Sequence, residues 1–169
     1  INTTKMNKIL EYDLNNFVVK VQCGVLLNDL AEDCVSKGLM YPPDPGEKFA
    51  TLGGNVSTNA GGMRACKYGA TRDDEGAQVG GMCIENAGGV RAVKHGIMRS
   101  YIKGMKVCLP NGDIVQLGGK LMKNNMGYDL LHLLIGSEGT LGIITELTLK
   151  VIPAPKEVIS LVIPFETLE

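Results

Sequence analysis

Y-P-P-D-P-G-E-K-F-A-T-L-G-G-N-V-S-T-N-A-G-G-M-R-A-C-K-Y-G, residues 41–69, is the stretch on which the reading of this chain turns. Its prolines fix extended backbone directly ahead of paired glycines, which permit close backbone approach and positive φ. Its Ser, Thr and Asn side chains hydrogen-bond locally. That combination suits a loop wrapped around a ligand. Within it, residues 51–62 can turn several backbone N–H groups toward one point, with Ser57, Thr58 and Asn59 adding side-chain donors for an anion. Neither G-x-G-x-x-G after a strand nor G-x-x-x-x-G-K-S/T occurs, so the dinucleotide fingerprint and the P-loop are both excluded. The other reading of the same residues is a tight structural turn that anchors a helix near residues 58–67.

Much of the stretch appears again downstream. Residues 53–69 and 80–96 align at an offset of 27, with ten of the seventeen positions identical, on the skeleton G-G-x-x-x-x-N-A-G-G-x-R-A-x-K-x-G. The second copy has Glu85 where the first has Thr58, Ile84 for Ser57 and His95 for Tyr68. A carboxylate at Glu85 repels phosphate, which makes the first copy the better binding candidate. The downstream chain nevertheless runs on from the second copy, Tyr101 leading into I-K-G-M-K-V-C-L, so both copies stay in play as occupants of a site. Residues 74–100 read as a duplicated insertion, tolerable because loop-closure entropy grows slowly with length.

A chain of 169 residues can bury a sizeable core. Seventeen basic residues stand against eighteen acidic ones, with no basic run, so nothing calls for a nucleic-acid partner. The apolar tracts are strand-sized and interrupted by charge, so no membrane span is expected. Five cysteines, Cys23, Cys34, Cys66, Cys83 and Cys108, are odd in number and lack C-x-x-C spacing. They read as ordinary thiols of a reducing, cytoplasmic compartment.

The flanking patterns are regular. Residues 6–11 and 17–22 form a hairpin pattern around Asp13-Leu-Asn-Asn16. The sequence thus opens directly on structure, which points to an upstream part of the domain. Residues 25–37 have helical spacing, with Leu26, Leu27, Leu30, Ala31 and Cys34 on one side and Gly38 as a stop. A second hairpin is expected from 103–109 and 113–117 around Pro110-Asn111-Gly112, and a short apolar helix within 125–134 carries His132 as a helix-face residue. After the small-residue loop 136–142, a strand places Ile143, Thr145, Leu147, Leu149 and Val151 on one face and Ile144, Glu146, Thr148 and Lys150 on the other. Pro153 and Pro155 interrupt it before a further strand at 158–163.

Taken together, Pro42-Pro-Asp-Pro45, Thr51-Leu-Gly-Gly-Asn55, Ser57-Thr-Asn-Ala-Gly-Gly62, Lys67-Tyr-Gly69 and Gly136-Ser-Glu-Gly-Thr-Leu-Gly-Ile-Ile-Thr-Glu146 resemble the FAD-binding domain of the vanillyl-alcohol-oxidase, or PCMH, type. Within it the resemblance is to the glycolate oxidase and D-lactate dehydrogenase branch of FAD-linked oxidases. Tyr128-Asp-Leu130 and the Asn111-Gly112 turn also fit.

The resemblance implies an α+β fold over residues 1–169, the second FAD-binding subdomain, with a mixed or antiparallel sheet flanked by helices. It implies FAD as cofactor. Pro42, Pro43, Asp44, Pro45, Thr51, Leu52, Gly53, Gly54 and Asn55 would border the flavin and pyrophosphate. Thr58, Asn59, Gly61 and Gly62 would continue that wall, and Tyr68 and Gly69 would support the next turn. Gly139, Thr140, Gly142, Ile143 and Ile144 would approach the flavin or the adenine-ribose portion through backbone groups. The implied reaction is hydride transfer to flavin from a small 2-hydroxy acid of the glycolate or D-lactate type, in an enzyme completed by a first FAD subdomain and a cap domain. Neither of those has a counterpart in these residues, so no catalytic base falls to His95 or His132 and no metal site is expected. The alternative is a truncated, catalytically inactive module that binds a companion subunit or a second copy of itself through apolar faces left open.

Overall fold

Val18, Val19 and Val21 are β-branched residues in a run bounded by turn formers, and they fold as half of a hairpin. In the computed structural model, which describes residues 2–43, 49–59, 98–121 and 127–156, β1 (Ile9–Asp13) pairs antiparallel with β2 (Val18–Gln22). The turn is closed by the Asp13 carboxylate, which accepts from the Asn16 Nδ2 at 2.9 Å and backbone N at 3.1 Å. These bonds, the side-chain one foremost, hold the Asp13 carboxyl below the usual range.

The helix expected at 25–37 is α1 (Leu27–Ser36), burying Leu27, Leu30 and Cys34. It is followed by Gly38 in the left-handed region, φ 68°. The chain then enters β3 (Leu39–Met40), which pairs with β7 (Ile152–Pro153) in a separate two-stranded ladder. Pro153 therefore sits in a short edge pairing, where a missing N–H is tolerated. Tyr12 ties β1 to α1 by donating to Asp33 at 2.6 Å, beside the Lys37–Asp33 ion pair at 2.6 Å.

The second hairpin is β4 (Ile102–Cys108) and β5 (Ile114–Gly118), entered from a 3₁₀ turn at Met98–Tyr101. The strand after the small-residue loop, β6 (Ile143–Lys150), lies between the two hairpins in a five-stranded sheet of order β1-β2-β6-β4-β5. Every pairing in it is antiparallel. Of the mixed and antiparallel alternatives, the fold is thus α+β with antiparallel sheets and flanking helices. Leu147 and Leu149 of β6 are wholly buried between Val21 and Val19 of β2 and Met105 and Ile102 of β4, which makes β6 the centre of the core.

Two local expectations need correction. The two-faced alternation along β6 breaks at Thr145, because Val107 pairs with Ile144 and Lys106 with Glu146, leaving Thr145 as an extra residue. This bulge turns Ile144 into the core and leaves Ile143 only half-buried, whereas unbroken alternation put Ile143 inside. Thr145 is held by donating its hydroxyl to the Lys106 carbonyl at 3.1 Å and accepting from Cys23 N at 3.0 Å. Next, a helix covers Leu52–Ser57 (α2), over the paired glycines themselves, not the loop expected there; residues 60–67 of the expected helix lie outside the described residues. The short helix expected within 125–134 is α3 (Leu130–Leu134), begun by Asp129, whose carboxylate accepts from His132 N; residues 125 and 126 lie outside the described residues. The strand expected at 158–163 also lies outside the described residues.

On the face of the sheet away from the core, Glu146 is flanked by Lys106 at 2.7 Å and Lys20 at 2.8 Å. The hydrogen bond from Lys106, then that from Lys20, holds its carboxyl below the usual carboxylate range.

Candidate functional site

Glycine is a poor helix former, so α2 must be held by something other than propensity. Its cap is Thr51, whose Oγ1 accepts from Gly54 N at 3.2 Å. Its apolar side buries Leu52 and Val56, four residues apart. Its first turn is stitched to the end of β2, Leu52 N donating to the Val25 carbonyl at 2.9 Å and Gly53 N to the Cys23 carbonyl at 2.7 Å. Gly53 is required by this contact, since a Cβ there would stand 2.7 Å from Cys23 Cβ and 3.0 Å from its carbonyl oxygen. Burial pushes the Cys23 thiol up, so it acts as a protonated packing group and not as a nucleophile. Thr58 Oγ1 donates back to the Gly54 carbonyl at 3.0 Å, so its proton is used within the segment.

The loop 136–142 docks onto the far end of α2. Gly136 N donates to the Val56 carbonyl at 3.1 Å and Glu138 N to the Ser57 carbonyl at 3.0 Å. The loop is closed by Thr140, whose N and Oγ1 donate to the Ser137 carbonyl at 3.0 and 2.7 Å. On each side of this seam a non-glycine residue is left-handed, Asn59 at φ 54° and Glu138 at φ 52°. Such residues are uncommon and cluster where the surroundings over-determine the backbone. Gly142 then brings the loop into β6 hard against β4, where a Cβ would lie 2.6 Å from Val107 Cγ1 and 3.0 Å from the Cys108 carbonyl oxygen.

Among the described residues four buried side-chain atoms have no hydrogen-bond partner, Arg99 Nε, Glu146 Oε2 and two at the seam. Asn55 is 4% exposed and its buried Nδ2 is unpaired, and the buried Oδ1 of Asn59 is likewise unpaired. Buried polar groups are nearly always satisfied, so a pair of orphans in one short segment is informative.

Of the residues expected to line a site, Thr51, Leu52, Gly53, Gly54, Asn55, Thr58 and Asn59 lie on α2 and its exit, and the loop holding Gly139, Thr140 and Gly142 is bonded to them edge to edge. Ile143 follows the loop, and the Ile144 side chain belongs to the core. Pro42 and Pro43 are buried after β3. Asp44, Pro45, Gly61, Gly62, Tyr68 and Gly69 lie outside the described residues, as does the whole second copy at 80–96. Sequence reasoning passed over Gly136 and Glu138, whose N–H groups make the seam; their signal was the G-S-E-G spacing itself. His132 is engaged at both nitrogens, Nδ1 2.5 Å from Asp129 Oδ2 and Nε2 3.3 Å from the Arg99 carbonyl. That contact, first of several, holds the Asp129 carboxyl low. Among the described residues no cluster of three His, Cys, Asp or Glu can hold a metal ion.

Residues 1–75 and 74–118 match the family model described as the FAD binding domain. The chain belongs to that family. Each of the two matched segments of this FAD binding domain carries one glycine-rich copy, 53–69 in the first and 80–96 in the second. The whole chain is 61% identical to 30% of the D-lactate dehydrogenase of Anaerostipes hadrus. Over 97% of its length it is 42% identical to 29% of the glycolate oxidase subunit GlcD of Bacillus subtilis. A solved structure of alkyldihydroxyacetonephosphate synthase superposes with a TM-score of 0.64 at 26% identity, covering 91% of this chain and 23% of that one. The chain therefore spans about 30% of the length of the curated relatives it matches. Among the described residues no helix is long and apolar enough to cross a membrane.

The residues present fit FAD. The seam carries small residues, an unpaired amide donor and an unpaired amide acceptor, and FAD offers partners for both.

Proposed function

We propose that this FAD binding domain supplies one wall of the flavin cradle in an oxidoreductase that oxidises a small 2-hydroxy acid of the D-lactate or glycolate type. The observation that carries the reading is the seam between α2 and the loop 136–142, two segments from opposite ends of the chain whose backbone groups are paired while Asn55 and Asn59 keep unpaired amides. The names of the two enzyme relatives support the substrate class.

Bound FAD supplies the two-electron acceptor for the hydride that leaves the hydroxyl-bearing carbon. The chain's own part is to bind and orient. Thr51 and the bonds from Leu52 and Gly53 to the turn after β2 fix α2, and the Gly136 and Glu138 N–H groups fix the loop against it. Pro42 and Pro43 border the same wall, and Asp44, Pro45, Gly61, Gly62, Tyr68 and Gly69 are assigned to the cofactor on the motif resemblance alone. Residues 74–100 form a duplicated insertion, and the first glycine-rich copy occupies the site. No proton transfer is assigned to His132, which Asp129 and the Arg99 carbonyl already engage.

A companion subunit or a second copy covers the apolar surface at Tyr128, Leu130 and Leu133, of which Tyr128 is 95% exposed. The compartment is the cytoplasm, in keeping with the free thiols of Cys23, Cys34 and Cys108. Equilibrium titration of the chain with FAD, followed by flavin fluorescence, should saturate. Anaerobic D-lactate or glycolate should bleach the bound flavin only when the remaining parts of the enzyme are supplied. Absence of saturable binding contradicts the cradle, and bleaching by the isolated chain contradicts its being one wall of a larger site. Sedimentation of the purified chain as a monomer, with no added partner bound, contradicts the covered apolar surface.

A further inference from the structure

We propose that the seat of α2 accepts either glycine-rich copy, so that residues 79–84 exchange with Leu52–Ser57 on the turn after β2. Residues 79–84 lie outside the described residues, and it is their sequence that fits the seat. The seat itself makes three demands. Position 53 must be glycine, since a Cβ there would stand 2.7 Å from the Cys23 Cβ. Positions 52 and 56 must be compact and apolar, because Leu52 and Val56 are wholly buried. Position 59 must tolerate left-handed backbone, which Asn59 holds at φ 54° and asparagine adopts more readily than most residues. At the offset of 27 the second copy meets all three, with Gly80, with Val79 and Cys83, and with Asn86.

The other ties of α2 to its surroundings are backbone bonds, which any residue but proline supplies. Leu52 N and Gly53 N donate to the Val25 and Cys23 carbonyls, and the Val56 and Ser57 carbonyls accept from Gly136 N and Glu138 N. The Ala50 carbonyl, which accepts from Leu27 N, has its counterpart in Ala77. The side chains that differ offset one another. Gln78 stands for the capping Thr51 and lacks its short side-chain oxygen, which disfavours the second copy. Met82 stands for Asn55 and removes a buried, unpaired amide, which favours it by an amount of the same order. The connections permit the exchange, because it lengthens the link before the helix and shortens the link after it by the same 27 residues. Residues 87–97 then remain to reach the 3₁₀ turn at Met98–Tyr101, a span of up to about 36 Å against about 19 Å across the five-stranded sheet. Exchange withdraws Asn55 and Thr58 from the seam and sets Met82 and Glu85 in their places.

Cys83 is a built-in probe, because only in the second register does it take the place of the buried Val56, and a buried thiol is inert to alkylation. The full chain is tested without cofactor, so the outcome does not depend on the FAD reading. Gly53→Leu bars the first copy and Gly80→Leu the second, while the double variant Gly53→Leu/Gly80→Leu bars both. Gly53→Leu should melt within about 5 °C of the wild type, Gly80→Leu should melt as the wild type, and the double variant should lose about 10 °C or more. Alkylation followed by peptide mass mapping should modify Cys83 about tenfold more slowly in Gly53→Leu than in Gly80→Leu. Equal melting of Gly53→Leu and the double variant overturns the proposal, whether both stay folded or neither folds. So does a Cys83 rate in Gly53→Leu no slower than in Gly80→Leu.

Discussion

The centre of the sheet and the seam between α2 and the loop 136–142 share strand β6, yet they treat their polar groups in opposite ways. In the sheet, Glu146 sits between Lys106 and Lys20, Thr145 bonds the Lys106 carbonyl, and Leu147 and Leu149 are sealed beneath. At the seam the backbone is satisfied across the two segments, but the amides of Asn55 and Asn59 are not, and Asn59 and Glu138 hold left-handed backbone. In the sheet the Glu146 Oε2, though it makes no hydrogen bond, is met by the Lys20 ammonium at 2.8 Å. The seam is built on that support, and in the proposed function FAD completes it.

The largest effect that breaks this comparison is in the core. Leu147→Ala, at a wholly buried residue, should cost about 2–5 kcal/mol in urea unfolding, because the cavity lies between β2 and β4 and cannot collapse. A loss under about 1 kcal/mol would show that β6 is not the strand on which both hairpins close. A smaller effect sharpens the comparison at the seam. Gly53→Ala drives a methyl into Cys23 and should cost about 1–3 kcal/mol and lower FAD affinity, while Gly54→Ala, on the exposed side of α2, meets only the Thr51 Oγ1 at 3.2 Å and should cost clearly less. Equal behaviour of the two variants would mean that α2 is not seated on the end of β2.

Much of this architecture is legible from residue order. Val19 and Val21, Met105 and Val107, and Leu147 and Leu149 alternate with polar neighbours, and both hairpin turns carry their Asp or Asn signatures. The bulge at Thr145 is not legible, because I-I-T-E-L reads as unbroken alternation and the extra residue is set by the register of β4. Nor is α2, since paired glycines disfavour a helix and only the Thr51 cap and the packing of Leu52 and Val56 make one. The site was read through its motifs, as a ligand wall in the first glycine stretch and a second wall near Gly139. That the two walls touch has no local signal, because backbone N–H and carbonyl groups join them and any residue carries those.

The smallest expected effect lies in the sheet's charges. The Glu146 carboxyl is held low in the folded chain, so its contribution is fully present above the ordinary glutamate range and is lost as pH falls through the folded value. Glu146→Gln should therefore cost about 1 kcal/mol or less near neutral pH and flatten the acid limb of stability, as followed by melts between neutral and acid pH. An unchanged acid limb would show that Lys20 and Lys106 leave the carboxyl unperturbed.

Amide hydrogen exchange with and without FAD tests the central contrast most directly. FAD should slow exchange at residues 51–59 and 136–142 and leave the β2, β4 and β6 amides, already protected by the ladder, unchanged relative to one another. Protection confined to the sheet, or none at the seam while FAD is bound, would contradict the assignment of the seam as the flavin cradle.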